Sequence, residues 1–299
     1  MLDVVIIGGG PAGITAAIYA KRANLNVAVV EKEYLGTGQI AESSRVDNYP
    51  GIPGIDGYSL GEKFREHAES LGVEFTEAQV LSLGQKDGIW IIGCDEDITL
   101  ESKAVIYATG CKNRPLGVPG EEKYYGRGLS FCAVCDGAFY KGKRVAVIGG
   151  GDTALDDAMY LSDICEKVYL VHRREFFRGS ASTLEKLKQK ENVEIIVNAR
   201  VEEITGDKKI DGIILDNKTK LNISGLFAAV GMIPQTELLK EFGVLDESNY
   251  VKASEDTKTT VNGLFAAGDV RTKQLRQVVT AAADGANAIY SVMEYLRNI

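Results

Sequence analysis

Two cysteines three positions apart, Cys132 and Cys135, enclose Ala133-Val134 and are followed at once by Asp136-Gly137. Sulfurs at this spacing can close a small ring. A Cys-x-x-Cys pair of low thiol pKa is suited to exchange with other disulfides, because the thiolate is the nucleophile and its resolving partner stays adjacent. Zinc is the competing use, but it needs two further ligands, and Cys94, Cys111, Cys165, His67 and His172 form no second close pair. Covalent haem attachment needs a histidine where Asp136 stands. A carboxyl beside a dithiol could ferry the proton that accompanies each thiol released, yet Asp136-Gly137 is also a strong turn signal, and both uses stay open here. The remaining cysteines read as small buried hydrophobes and Trp90 as a packing residue.

A dithiol needs an electron source, and an internal repeat points to two nucleotide sites. The apolar run Val4 to Ile7 opens into Gly8-Gly9-Gly10-Pro11-Ala12-Gly13, followed by a helix-period stretch to about Ala23 and a second run, Val27 to Val30, closed by Glu31. Moved forward by 141 residues, the pattern recurs without a gap: Val145 to Ile148, Gly149-Gly150-Gly151-Asp152-Thr153-Ala154, a helix to about Ser162, then Val168 to Val171 and His172. Gly8 and Gly149 permit the turn, Gly10 and Gly151 remove a side chain that would block a pyrophosphate, and Gly13 or Ala154 lets helix pack on strand. The helix N-terminus then offers free N–H groups to an anion.

The residues closing the two copies separate their ligands. Glu31, 18 residues past Gly13, can accept hydrogen bonds from ribose hydroxyls and repels a 2′-phosphate. At the equivalent place stand His172-Arg173-Arg174, with Arg178 a turn further on, and three guanidiniums can grip a 2′-phosphate. A solvated basic surface is the plainer use of the same residues.

The whole chain has 299 residues, 45% hydrophobic and 25% charged, which is ordinary globular composition with room for two cores and excludes disordered or collagen-like classes. Its net charge of -8 argues against a nucleic-acid partner. The longest uncharged stretch, Val4 to Ala20, carries four glycines and Pro11 within 17 residues, too short and too broken for a membrane span. With no basic n-region before Lys21, a cytoplasmic address is expected, where paired thiols serve redox chemistry or metal binding more often than stapling.

Taken together these motifs resemble the bacterial low-molecular-weight thioredoxin reductases, FAD- and NADPH-dependent members of the pyridine nucleotide-disulfide oxidoreductases. The matching segments are GGGPAG at 8–13, VDNYPG at 46–51, ATG at 108–110, CAVCDG at 132–137, GGGDTA at 149–154, VHRREFFR at 171–178 and GLFAAGDVRTKQLRQVVTAAADG at 263–285. The resemblance implies FAD at Gly8, Gly10, Gly13 and Glu31, with Gln39 and Asn48 near the flavin ring, Asp269 on the ribityl chain, and Arg276, Gln277 and Val278 against the flavin. It implies NADPH at Gly149, Gly151, Ala154, His172, Arg173, Arg174 and Arg178. It further implies a redox-active disulfide in which Cys135 faces the flavin, Cys132 is the interchange thiol and Asp136 carries the proton. Three departures stand out: Thr37-Gly38 precedes Gln39 where the family usually has Gly-Gly, Ala138 and Phe139 stand where two aromatics are often found, and Gln235 replaces a more usual asparagine.

The implied fold class is α/β, two Rossmann-like nucleotide-binding domains with the second inserted in the first: 1–112 and 241–299 for FAD, 113–240 for NADPH and the disulfide. The implied partner is a thioredoxin or thioredoxin-like protein, and the implied assembly a homodimer. Because the cysteines lead straight into the second glycine turn, disulfide and NADPH site should move as one body, and serving one flavin from the same face requires rotation between half-reactions. A flavin-dependent dithiol oxidase or a ferredoxin-fed disulfide reductase on the same scaffold is the alternative; the intact Gly149, Gly151, Arg173, Arg174 and Arg178 weigh against it.

Overall fold

The computed structural model describes residues 1–33, 37–43 and 45–299. The chain divides into two compact units, Met1–Lys112 with Ile233–Ile299, and Asn113–Met232.

The first unit begins β1 (Leu2–Ile7), α1 (Pro11–Arg22), β2 (Val27–Glu31), α2 (Gly57–Ser70), β3 (Glu74–Glu77), β4 (Val80–Lys86), β5 (Ile89–Cys94) and β6 (Thr99–Tyr107), and β7 (Cys111–Asn113) runs across its boundary. In the second follow β8 (Leu129–Ser130), α3 (Ala133–Asp136), β9 (Arg144–Gly149), α4 (Asp152–Ser162), β10 (Lys167–Val171) and α5 (Ala181–Lys188). Strands β11 (Val193–Ile196), β12 (Val201–Thr205), β13 (Gly212–Leu215), β14 (Lys220–Asn222) and β15 (Gly225–Ala229) complete it. The chain returns through β16 (Met232–Pro234), a 3-10 helix (Glu237–Phe242), β17 (Leu264–Ala266) and α6 (Val278–Leu296).

In the first unit the sheet runs β3-β2-β1-β6-β5-β4, with β17 also paired to β6. Strand β6 is shared along its length: Thr99–Ser102 pair antiparallel with β5, and Val105–Tyr107 pair parallel with β17. The apolar runs that carry no alternation in sequence are strands covered on both faces. Val4 and Ile6 pack with α1 and α6 residues, whereas Val5 and Ile7 pack on the other face with Trp90, Ile92 and Leu239. All of these are essentially inaccessible to water, so cutting one back to alanine costs about 2–5 kcal/mol.

The second unit repeats the scheme in a five-stranded all-parallel sheet, β11-β10-β9-β15-β8, with a separate antiparallel sheet β12-β13-β14. Val145 and Val147 face α4 as Val4 and Ile6 face α1, and Ala146 and Ile148 face the opposite cluster.

The second boundary differs from the sequence expectation of 240/241. It falls at Met232–Ile233 because the segment beyond it is claimed by the first core: Leu239 is fully buried, and Leu238 and Phe242 pack beside it against the Trp90 cluster. Apolar contacts, not the Gly-rich composition around Gly231 to Gly243, set the limit.

Candidate functional site

In the second unit Cys132 and Cys135 are joined in a disulfide, which engages both sulfurs with each other. They bracket the start of α3, with Cys132 as its N-cap and the Cys132 Sγ accepting the Cys135 backbone N–H at 3.2 Å. The two residues between them have opposite fates. Ala133 is buried in the core with Val145 and Ala154, whereas Val134 is exposed beside the exposed Ala138 and Phe139. Gly137 lets α3 lie against α4, since a Cβ there would stand 2.7 Å from the Tyr160 ring and 3.0 Å from Leu161. The disulfide therefore rides on the helix that opens at the second glycine turn.

Asp136 ends α3, and the chain continues into a 3-10 helix, Gly137–Tyr140, so Asp136-Gly137 forms no reversal of direction. Its Oδ2 accepts the Ser130 hydroxyl at 2.6 Å, and the same Ser130 oxygen accepts the Cys132 N–H at 3.1 Å. Burial pushes the Asp136 carboxyl above its ordinary pKa, and the Ser130 bond opposes this without cancelling it. A carboxyl that holds its proton more readily than usual, linked through one hydroxyl to the backbone of the disulfide, can give and take protons as sulfurs open and close. Ser130 was not singled out by spacing; the only sequence sign is a hydroxyl two residues before the first cysteine.

The two glycine turns are built alike. Gly8 has φ +109°, and a Cβ there would lie 2.4 Å from the Ala108 carbonyl oxygen; at Gly149 a Cβ would lie 2.4 Å from the Ala229 oxygen. In each copy the first glycine is thus demanded by a carbonyl at the C-terminal end of the neighbouring strand, and at Gly8 by a left-handed backbone as well. At Gly151 a Cβ would meet nothing within 4 Å, and at Gly10 only the Thr37 oxygen at 3.8 Å, so protein leaves these flanks clear for a ligand. Gly13 brings α1 onto the turn, where a Cβ would fall 1.9 Å from the Gly8 oxygen.

Glu31 closes the first turn, its Oε2 accepting Gly9 N–H at 2.7 Å. Asn48 donates to the Gln277 side chain at 2.8 Å, which ties the VDNYPG loop to the N-cap of α6. Gln39 lies half-buried in the 3-10 helix Gly38–Glu42, and Thr37 is buried where Gly61 of α2 leaves room for its side chain. Asp269 sits in the 3-10 turn Gly268–Val270. Its Oδ1 is buried with no hydrogen-bond partner among the described residues. An acceptor kept dry and unpaired is costly unless a ligand hydroxyl meets it, so the residues here fit a polyol-bearing cofactor. Arg276 lies over the Tyr250 ring and donates to the Asp269 carbonyl at 3.2 Å; Gln277 and Val278 begin α6.

At the second turn, Arg178 N–H and Gly179 N–H donate to the Gly150 oxygen at 2.7 and 3.2 Å, and Ser180 N–H to Asp152 Oδ1 at 2.7 Å. This stitches the basic loop to the turn. Arg173, Arg174 and Arg178 are exposed, with no carboxylate partner within 4.0 Å among the described residues. His172 is placed differently from the arginines it was grouped with. It is 7% exposed, its ring lies under Gly150 and stacks on Phe177, and its Nε2 donates to the Phe176 oxygen at 3.1 Å. Burial, then the three arginines, hold its pKa below the usual histidine value, so it is a neutral prop for the loop.

Two nucleotide turns and a Cys-x-x-Cys disulfide define a class of protein that moves electrons between a dinucleotide and thiols. The chain belongs to the pyridine nucleotide-disulphide oxidoreductase family, whose profile matches residues 2–285, and it is an oxidoreductase of that family. The thioredoxin reductase of Helicobacter pylori is 40% identical over 310 residues, spanning 100% of both chains, and that of Bacillus subtilis is 38% identical over 305 residues, spanning 99% of this chain and 95% of the other. The crystal structure of thioredoxin reductase from Streptococcus pyogenes matches with a TM-score of 0.93 at 39% identity, over 100% of this chain and 99% of that one.

Proposed function

We propose that the chain is an NADPH-dependent thioredoxin reductase, with FAD held by the first unit, NADPH by the second, and Cys132–Cys135 as the exchange disulfide. One observation carries the reading: a disulfide at a helix start, backed by a half-buried carboxyl, on the same compact unit as a nucleotide turn edged by three exposed arginines. When bound, the two cofactors supply a hydride and relay its two electrons to the disulfide.

The chain's own groups do the rest. Two electrons and two protons open Cys132–Cys135 to a dithiol. Cys132, as thiolate, attacks one sulfur of the partner's disulfide and expels the other as a thiolate, which takes a proton held by Asp136. Cys135 then attacks Cys132, releases the partner as a dithiol, and restores the disulfide. Gly8, Gly10, Gly13, Glu31, Gln39, Asn48, Asp269, Arg276, Gln277 and Val278 bind FAD on this reading. Gly149, Gly151, Arg173, Arg174 and Arg178 bind NADPH on this reading, with Ala154, which the sequence grouped with them, packed in the core under the turn and His172 propping the basic loop. The partner is a thioredoxin-like protein, and the working form is a cytoplasmic homodimer.

The test is anaerobic mixing with NADPH while flavin absorbance is followed. In Cys135→Ser the flavin should bleach as in the unaltered chain, while reduction of a thioredoxin disulfide is abolished. Disulfide reduction surviving in that variant, or a flavin untouched by NADPH, overturns the assignment.

A further inference from the structure

Charged side chains are rarely enclosed unless paired. The first unit encloses three together: the side chains of Arg271, Lys273 and Asp284 are 5%, 6% and 3% exposed. Asp284, on α6, accepts four bonds. Its Oδ1 takes Arg271 Nη2 at 2.6 Å, and its Oδ2 takes Arg271 Nε at 2.8 Å, Lys273 Nζ at 2.9 Å and the Gly268 backbone N–H at 2.9 Å. Arg271 Nη1 donates onward to the carbonyls of Ala253 and Thr272, at 3.3 and 3.1 Å.

The last of the Asp284 bonds is the informative one. For stability alone, a buried ion cluster does little that a well-packed apolar trio would not do, because desolvation offsets the attraction. An apolar trio cannot hold the Gly268 amide. That amide enters the turn carrying Asp269, whose carbonyl is held from the other side by Cys111 Sγ at 2.9 Å and Arg276 Nε at 3.2 Å. The Asp269 backbone is thus fixed at both flanks while its Oδ1 has no partner among the described residues. Gly268 and Gly285 press the same region onto α1, where added Cβ atoms would stand 2.9 Å from Ala12 Cβ and 2.2 Å from Ala12 O.

We infer that Asp284, clamped by Arg271 and Lys273, is a positioning residue of the flavin site, aiming the unpaired oxygen of Asp269 at a hydroxyl of the cofactor's ribityl chain. This rests on the reading of the first unit as the FAD site. Burial raises the Asp269 pKa and the Asp284 charge adds to this, while Lys273 and Arg276 oppose it without cancelling it.

The experiment titrates FAD into the stripped full-length chain and reads flavin fluorescence, with visible circular dichroism of the bound flavin as a second signal. Asp284→Asn should weaken FAD about tenfold or more and alter the dichroic bands, because a charge-assisted bond and the aim of Asp269 are lost. In an Asp269→Ala background the same change should alter affinity less than about twofold, since the group it aims is gone. A tenfold loss that persists in that background makes Asp284 a merely structural residue and overturns the proposal. Affinity within twofold of the unaltered chain overturns it too. Should Asp284→Asn melt without a cooperative transition, Asp284→Glu decides, because it keeps the charge that pairs with Arg271 and Lys273 while moving the carboxylate off the Gly268 amide. A loss of about threefold or more at an unchanged melting temperature supports the proposal, and unchanged affinity ends it. An unaltered chain that takes up no FAD defeats the flavin reading itself, an outcome distinct from unequal variants of a chain that does.

Discussion

Asp136 illustrates how one residue's environment decides its use. The carboxyl is held above its ordinary pKa by burial, so in the folded chain the proton is retained to higher pH than in the unfolded chain. The sign for stability follows: the fold is favoured by this group at low pH, and that contribution is lost as pH rises through the raised pKa. Asp136→Asn removes the titration. Turnover with a protein disulfide should fall about a hundredfold, as for loss of a general acid, while the melting temperature at pH 8 does not fall. A chain that loses stability and activity together would assign Asp136 to packing. Ser130→Ala removes the bond that favours the carboxylate, so the ionisation in the pH profile of kcat/KM should move to higher pH. At this scale the sequence revealed cysteines, glycines and arginines, because their spacing along the chain is itself the signal. Ser130 and the Arg271–Asp284 pair act through contacts made only in the fold, 6 and 13 residues away, and no local pattern marks them.

Elements were legible where a repeat underlined them. Both strand-turn-helix-strand units stand where the 141-residue shift puts them, and the alternation of Val4/Ile6 against Val5/Ile7 recurs at Val145/Val147 against Ala146/Ile148. Short signals stayed ambiguous. Asp136-Gly137, whose turn and proton-carrier uses the sequence left open, continues a helical path, and Gly137 is needed against Tyr160 and Leu161. The basic loop after β10 shows how an element divides its labour: His172 faces inward and props it, backbone bonds from Arg178 and Gly179 pin it, and the guanidiniums are left exposed. Neutralising Arg173 and Arg174 together should therefore raise KM for NADPH about tenfold or more and leave KM for NADH within about twofold, with flavin reduction as the readout. Equal effects on both nucleotides would remove the 2′-phosphate assignment. His172→Ala, by contrast, should weaken both, because it loosens the loop as a whole.

At the scale of the whole molecule, the disulfide and the second glycine turn belong to Asn113–Met232, whereas the first glycine turn and Asp269 belong to the other unit. If one flavin serves both half-reactions, the two units must exchange partners by moving as bodies. A crosslink short enough to forbid that motion should stop steady turnover and spare a single half-reaction; turnover at the normal rate would exclude the alternation. The repeat marked where each unit begins but not where the inserted segment ends, because Leu238, Leu239 and Phe242 are claimed by packing rather than by any composition shift. The shared strand β6 carries a further consequence, for biosynthesis. Its C-terminal half is completed by β17, which emerges from the ribosome only after the entire insert. The inserted unit can fold during translation, whereas the host must wait, half-built, for its final 67 residues, Ile233–Ile299. A message truncated near codon 240 would thus yield a sound thiol-bearing unit joined to an open-edged fragment prone to aggregate.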